Sequence, residues 1–594
     1  MYSICTKNKS TRTYVYSSKL FGPALTLILA LVSSAVIALP TVNNVYKHAV
    51  ASFNPLSTEL PFHFSESVYE SILYDGDISS FLFKEDDVNI ATDYIYNKLN
   101  LGAGDFKVFD SFTDSAGVTH VYGAHMVNDI RIANHHASAH VKNGQVVSFS
   151  SSFGTAQHFS KRDLIISEPK ATPDGNVVYA YKLQLRNSPL TKWVQVWCDA
   201  TTGKVIQTID FANKASCEPI KTVDLTNSAP CEPIQTVDPA NGISSYKVIA
   251  LPRRDPTEGF SMVYNPEFKG SSPNGWTDGE ATKGNNAIIS TTRGKTILST
   301  SNGVFDTQFN STANPRTTIN VAAAAVNLFY LVNVMHDISY QYGFTEQAGN
   351  FQKDNFGKGG KGGDAVIVNA IHAYENNGAN FFTPVDGKSP VMTMYGFTNS
   401  IPNRSGGLDN GIAIHEYVHG ISLRLTGGPT ASGCLDIKEA QGLSEGWSDV
   451  IAMIVLARSS DTATTSIPMG AYVTNKPGGI RSHPYTTDMT VNPLTYSDLQ
   501  TRNDPHPMGE SEGNIVTMQI IIGGMMLQPC NPTFLSARDA IVAADASYYK
   551  GANKCEILKA FAKRGLGSKA TNSYSNDFSV PSECDGSTPP VKQR

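Results

Sequence analysis

Charge is scarce in this chain. Of 594 residues only 17% are Asp, Glu, Lys or Arg, and 47 basic against 52 acidic side chains leave a formal charge of −5. Such a balance argues against nucleic acid and other polyanions as partners, because those require a concentrated basic face. Long apolar runs are also missing, save Phe21-Gly-Pro-Ala-Leu-Thr-Leu-Ile-Leu-Ala-Leu-Val-Ser-Ser-Ala-Val-Ile-Ala-Leu-Pro40. Lys7, Lys9, Arg12 and Lys19 precede that run and small residues close it, so 1–40 reads as a signal peptide, with an uncleaved signal anchor as the alternative. Either form delivers the rest outside the cytosol, and no membrane contact is expected once the signal is removed. Cysteine is sparse: of eight, Cys5 lies in the leader and Cys434, Cys530, Cys555 and Cys584 lie in the last third of the chain, where oxidising conditions would permit bridges whose pairing the spacing does not reveal. A hydrophobic content of 41% over this length points to a soluble protein of several domains.

What the chain does contain is Gly411-Ile-Ala-Ile-His-Glu-Tyr-Val-His-Gly420, an H-E-x-x-H motif. On a helix His415 and His419 project from one face about one turn apart, roughly 6 Å along the axis, so both rings can reach one ion at about 2 Å. Glu416 then stands beside the ion and can take a proton from a water whose pKa zinc lowers from about 15.7 towards 7. Asp409 and Asn410 offer an N-cap, Ile412, Ile414, Val418 and Ile421 fill the other faces, and Gly427-Gly428-Pro429 ends the helix.

A hydrolytic zinc takes three protein ligands and leaves a fourth position open, so a further donor is expected on a neighbouring element. Glu445, in Gly442-Leu-Ser-Glu-Gly-Trp-Ser-Asp449, is that candidate. The apolar run Val450-Ile-Ala-Met-Ile-Val-Leu456 makes this a second buried helix, antiparallel to the first. Glu445 and Asp449 share one of its faces, so Glu445 can bind the metal while Asp449 accepts a hydrogen bond from the other nitrogen of a ligand histidine. The competing reading takes both acids as capping or solvent-facing residues at a helix start.

These segments resemble the fungalysins, secreted fungal zinc metallopeptidases related in architecture to thermolysin. The resemblance covers His415 to Pro429, Glu445-Gly-Trp-Ser-Asp449, Met335-His-Asp-Ile338, Gly343-Phe-Thr-Glu346, Gly349-Asn-Phe-Gln352, and Leu527-Gln-Pro-Cys-Asn-Pro532 through Gly567. It implies an α+β, thermolysin-like enzyme of two lobes, β-rich then helical, preceded by an α+β propeptide. It also implies one zinc per chain on His415, His419 and Glu445, Glu416 as general base, Asp449 behind a ligand, and extracellular proteins or peptides as substrates. Calcium occurs among thermolysin relatives, but no ligand cluster here is distinctive enough to assign.

Between the signal and residue 212 the texture changes to short alternating strands, with Asn143-Gly144 as a hairpin signal. The block from Asp110 to Gly154 resembles the propeptide of fungalysins and thermolysin-like enzymes, which implies an intramolecular inhibitor and chaperone. His120, His125, His135, His136 and His140 crowd it; alternating positions on a polar strand face account for them, with pH sensing as the rival reading. A linker at 213–243 repeats Cys217-Glu-Pro-Ile and Cys231-Glu-Pro-Ile and reads as a cleavable connector. The enzyme would then occupy 244–594.

Within it, a long apolar helix is expected from about Thr317 to Tyr340, with His336-Asp337 as a structural pair. Asn377-Gly-Ala-Asn-Phe381 matches the family's substrate-aligning edge strand, with Asn380 as the substrate-binding residue, although Gly378 interrupts the usual motif. Asn310-Ser-Thr312 and Asn403-Arg-Ser405 are glycosylation acceptors. In Asp504-Pro-His-Pro-Met-Gly-Glu510, His506 takes the place of the family's oxyanion-binding histidine. The long helix that should follow is absent, because Glu512-Gly513 passes straight to Asn514-Ile-Val-Thr-Met518. An oxyanion donor contributes about 10²- to 10³-fold in rate, so the rival to a working endopeptidase is an impaired, zinc-binding secreted protein.

Overall fold

The computed structural model describes residues 3–4, 68–71, 86–127, 130–153, 168–171, 177–186, 193–199, 205–210, 244–291, 294–300, 303–431, 433–500 and 514–585. The apolar run 21–40, the linker 213–243 and His506 lie outside them. The chain divides into two compact units, one formed mainly by residues before 215 and the other mainly by those after, each mixing helices and strands.

The first unit contains β1 (Val68–Ser71), α1 (Asp87–Leu99), β2 (Phe106–Thr113), β3 (Val118–Val127), β4 (Ile130–Lys142) and β5 (Gln145–Ser151). The strands form an antiparallel sheet in the order β1-β5-β4-β3-β2. Asp86 starts α1 by accepting from the Val88 amide at 3.1 Å, and Asn100, at φ 51°, ends it in the left-handed region. Asn143 and Gly144 both take positive φ, 52° and 74°, as a two-residue hairpin turn demands, and Lys142 pairs with Gln145 across it. Strand alternation then sorts the side chains. Val121, Ala137, Ala139, Val141 and Phe149 pack with Ala91 and Ile95 of α1, while His120, Ser138, His140, Ser148 and Ser150 are buried on the opposite face. A second antiparallel sheet joins β6 (Glu168–Ala171), β7 (Val177–Arg186), β8 (Trp193–Asp199) and β9 (Val205–Asp210), and Ser3–Ile4 extends the edge beside β7.

The second unit opens with β10 (Ser245–Val248), β11 (Ser261–Tyr264), β12 (Ala287–Ser290) and β13 (Val304–Phe305), followed by α2 (Thr318–Gln341). Among the described residues α2 alone is long and apolar enough to cross a membrane, but 78% of its most apolar stretch is buried inside the protein, which makes it the core helix of this unit. Buried Asp337 on α2 accepts from the Phe268 amide, Ser271 and Ser272 hydroxyls, the Trp276 indole and His336, so His336-Asp337 is a structural pair. Then come β14 (Val366–Asn369), β15 (Ala379–Phe382) and β16 (Val391–Met394), in a sheet ordered β12-β14-β16-β15. β15 is an edge strand, antiparallel to β16, with Asn380 opposite Thr393. From residue 410 onward helices dominate: α3 (Asn410–Leu425), α4 (Lys438–Val455), α5 (Asn514–Leu527), α6 (Phe534–Tyr549) and α7 (Lys554–Lys563). Cys555 and Cys584 form a disulfide across 29 positions, and Cys434 and Cys530 are disulfide-bonded as well.

Candidate active site

α3 begins where Asp409 caps it, accepting from the Ile412 amide. That carboxyl is fully enclosed; burial, reinforced by the charge of Asp255, pushes it up to about 7. A raised carboxyl binds its proton more tightly in the folded than in the unfolded chain, so its contribution to stability falls as pH rises from about 4 to 7. Asp409→Asn keeps a capping oxygen without the charge. Its stability advantage over wild type is therefore expected to grow by up to ~1.4 kcal/mol per pH unit across that window, measured by denaturant unfolding at pH 4.5 and 7.5. An advantage independent of pH would contradict the buried-charge account.

The helix runs close to its neighbours because position 420 has no side chain. A Cβ there would stand 2.7 Å from the rings of both Phe351 and Phe381, which sets α3 directly beside edge strand β15. At its C-terminal end buried Arg424 donates to the carbonyls of Gly349 (2.7 Å) and Pro384 (2.9 Å) and pairs with Asp364 (3.0 Å) and Asp386 (3.3 Å). One face of α3 is thus tied to the loops before β14 and between β15 and β16.

The opposite face carries the chemistry. His415 and His419 meet Nε2 to Nε2 at 3.1 Å, and Glu445 of α4 places its carboxylate 3.3 Å from the first ring and 3.6 Å from the second. One donor atom from each of the three lies within 4.8 Å of the others. Two imidazoles and a carboxylate are the donor set of a catalytic zinc centre. α4 begins at Lys438, so Glu445 and Asp449 sit well inside the helix and are not capping residues.

Asp449 accepts from Nδ1 of His415 at 2.6 Å, which fixes the proton on Nδ1 and leaves the Nε2 lone pair facing His419 and Glu445. Ser444 and Ser448 stand 3.0 and 3.3 Å from Nδ1 of His419. Burial would lower His415, but the Asp449 charge and hydrogen bond dominate and raise it to about 10. The neighbouring His419 is lowered by burial to about 4. Although burial opposes it, Glu445 is held well below the ordinary carboxylate range by its bond to His415 and by the nearby positive groups. Burial pushes Glu416 up to about 7.

Two residues in this arrangement escaped the sequence reading. Arg481 clasps Asp449 with Nε at 2.7 Å and Nη2 at 2.9 Å and lies 3.6 Å from Glu445, and the Tyr485 hydroxyl donates to Asp449 at 2.5 Å. Both come from a Gly- and Pro-rich loop without periodicity, so no local signal marks them. Tyr485→Phe removes one of the groups holding Asp449; such second contacts typically account for 10- to 100-fold in metal affinity. Zinc affinity from competition with a chromogenic chelator is expected to fall by about 10-fold, and an unchanged affinity would assign Tyr485 to packing alone. Asn380, on the edge strand, gives its amide to the Tyr395 hydroxyl at 2.8 Å.

Comparison with known proteins accords with this geometry. The family described as fungalysin metallopeptidase (M36) matches residues 245–512 and 507–570, and the fungalysin/thermolysin propeptide motif matches 104–153. The chain belongs to the fungalysin family. Fungalysin relatives include the extracellular metalloproteinase MEP of Pyricularia oryzae, 34% identical over 577 residues that span 83% of this chain and 88% of that protein. Extracellular metalloproteinase 2 of Arthroderma otae is 40% identical over 390 residues, 57% of this chain and 61% of that protein. The extracellular metalloproteinase mep of Aspergillus flavus is 36% identical over 457 residues, 68% of this chain and 67% of that one. The fungalysin match falls into two segments that share 507–512, the stretch where the sequence passes abruptly into α5.

Proposed function

We propose that this secreted, zinc-dependent metalloendopeptidase holds one zinc per chain on His415, His419 and Glu445 and uses Glu416 as its base. The supporting observation is the convergence of Nε2 of both histidines on the Glu445 carboxylate, with Glu416 one residue along the same buried helix. Zinc bound there supplies Lewis acidity, polarising a peptide carbonyl and making a water acidic enough to be deprotonated near neutral pH. Glu416, buried one position along α3 from His415, is the carboxylate that takes that proton and returns it to the departing amine. Asp449 holds His415 in its metal-binding tautomer, and Arg481 and Tyr485 hold Asp449.

Edge strand β15 would offer backbone groups to an extended peptide, with its Asn380 as a further contact. His506 is assigned by resemblance as the donor to the developing oxyanion. The strand-rich region before residue 410 and the helical region after it would form two lobes with the metal between them. The preproenzyme would comprise a signal at 1–40, a propeptide at 41–212 acting as inhibitor and chaperone, a connector at 213–243 and the enzyme at 244–594. Of the two glycan acceptors, Asn310 is exposed, with its side-chain Oδ1 accepting from the Thr312 hydroxyl at 2.8 Å, and Asn403 is half-buried.

The rival, an impaired zinc-binding protein, draws on the shortened segment after His506, whereas the intact Glu416 and the family membership favour the enzyme. Casein digested by the propeptide-released protein, with every new terminus mapped by mass spectrometry, tests the reading. Cuts at internal bonds are expected. Trimming from the amino end alone would replace it with an aminopeptidase, and no cleavage by folded, zinc-loaded protein would overturn it.

A further inference from the structure

Four of the described histidines of the first unit are paired across strands. His120 of β3 and His140 of β4 are register partners, with their Nδ1 atoms 2.9 Å apart and both side chains 0% exposed. His125 and His135 meet likewise, Nδ1 to Nδ1 at 3.1 Å, their rings nearly parallel and stacked with Phe153. Each contact requires one nitrogen to donate and the other to accept. A pair can therefore carry one proton beyond neutrality at most; a second would set two N–H groups and two like charges against each other inside the sheet.

The charged groups on neighbouring elements do little to relieve this. Burial opposes protonation of His125 and outweighs Asp105, before β2, which favours it, while His125 and His136 both disfavour protonation of His135. Asp87 of α1 is engaged by the Thr119 hydroxyl at 3.0 Å. β2 adds Lys107 and Asp110, β4 itself adds Arg131 and Lys142, and β6, which packs against β4, carries Glu168 and Lys170. In keeping with the geometry, burial pushes His140 well below the ordinary 6.5 and His135 down to about 3.

We propose that these two cross-strand histidine pairs make the propeptide unit an acid-sensitive lock, which unfolds below about pH 6 and so lifts inhibition of the peptidase. The idea rests on the reading of this unit as the enzyme's inhibitor. The sign follows from linkage: the unfolded chain takes up protons that the folded pairs refuse, so stability is complete above the unfolded pKa of about 6.5 and falls as pH drops below it. With one proton withheld per pair, two pH units lower the folding constant by about 10⁴-fold.

Hydrogen exchange on the zinc-loaded full chain carrying Glu416→Ala, which prevents self-cleavage, reads this directly. After correction for intrinsic exchange, peptides from 118–142 are expected to lose about 10³- to 10⁴-fold in protection between pH 7 and 4.5, while those from 319–341 keep theirs. Unchanged protection at 118–142, or loss only together with 319–341, would overturn the proposal. In a His135→Gln, His140→Gln variant each remaining imidazolium can donate to an amide oxygen, so the acid midpoint is expected to move down by at least about one pH unit. An unmoved midpoint would exclude these pairs as the trigger, and if the variant does not fold the wild-type titration decides. Failure of wild-type protein to cut casein would end the peptidase reading without altering these exchange data.

Discussion

Glu416→Gln is expected to lower kcat for peptide hydrolysis by about 10²- to 10⁴-fold, the usual contribution of a positioned proton-transfer group. The substitution keeps the volume of a buried side chain on α3 and removes only its ability to accept a proton. Because Glu416 is not among the three groups that converge, zinc content is expected to stay at the wild-type level. KM is expected to change little, since an interaction made only in the transition state lowers kcat and kcat/KM together. A fall in zinc content matching the fall in activity would place Glu416 on the metal and contradict its role as base.

The second large effect is structural. Arg424→Ala is expected to destabilise the second unit by about 3–5 kcal/mol, as when one partner of a buried ion cluster is removed. The loss leaves Asp364 and Asp386 enclosed without their cation and strips donors from the Gly349 and Pro384 carbonyls. Against a total stability of about 5–15 kcal/mol this is a large fraction. The effect should also depend on pH. Burial, against the pull of Arg424, already raises Asp364 to about 6, and without the guanidinium both acids fold most easily protonated. The loss is therefore expected to be smaller at pH 5 than at pH 8, measured as the fall in the thermal midpoint at each pH. An equal or smaller loss at pH 8 would show that Arg424 acts by packing on Phe351, whose ring lies 4.8 Å beneath it.

What could be read from the sequence was governed by short-range geometry. His415, Glu416 and His419 declare themselves because helical spacing alone puts both rings on one face, and Asn143-Gly144 because few other dipeptides accept two positive φ angles. Glu445 and Asp449 were legible from their shared face, but the start of their helix was not: Ile437 precedes it and makes no side-chain cap, so nothing marks Lys438 as the first residue. Arg481 and Tyr485 were invisible for a different reason, since a loop reaches Asp449 across more than thirty residues and tertiary contacts leave no periodic trace. The five propeptide histidines were visible as a cluster, but their pairing depends on strand register, which a bulge between Ala124 and Met126 alters beyond what simple alternation predicts. Asn380 was placed on an edge strand as expected, although its bond to Tyr395 could not have been foreseen.

The measurement that bears most directly on the central claim is zinc stoichiometry and casein hydrolysis, determined together on propeptide-released protein before chelation, after chelation and after zinc is restored. One zinc per chain that leaves and returns in step with hydrolysis, and that no longer binds tightly in His415→Ala, is the predicted result. Hydrolysis that persists in the metal-free protein, or full zinc binding by His415→Ala, would contradict the assignment of His415, His419 and Glu445 as the catalytic metal site.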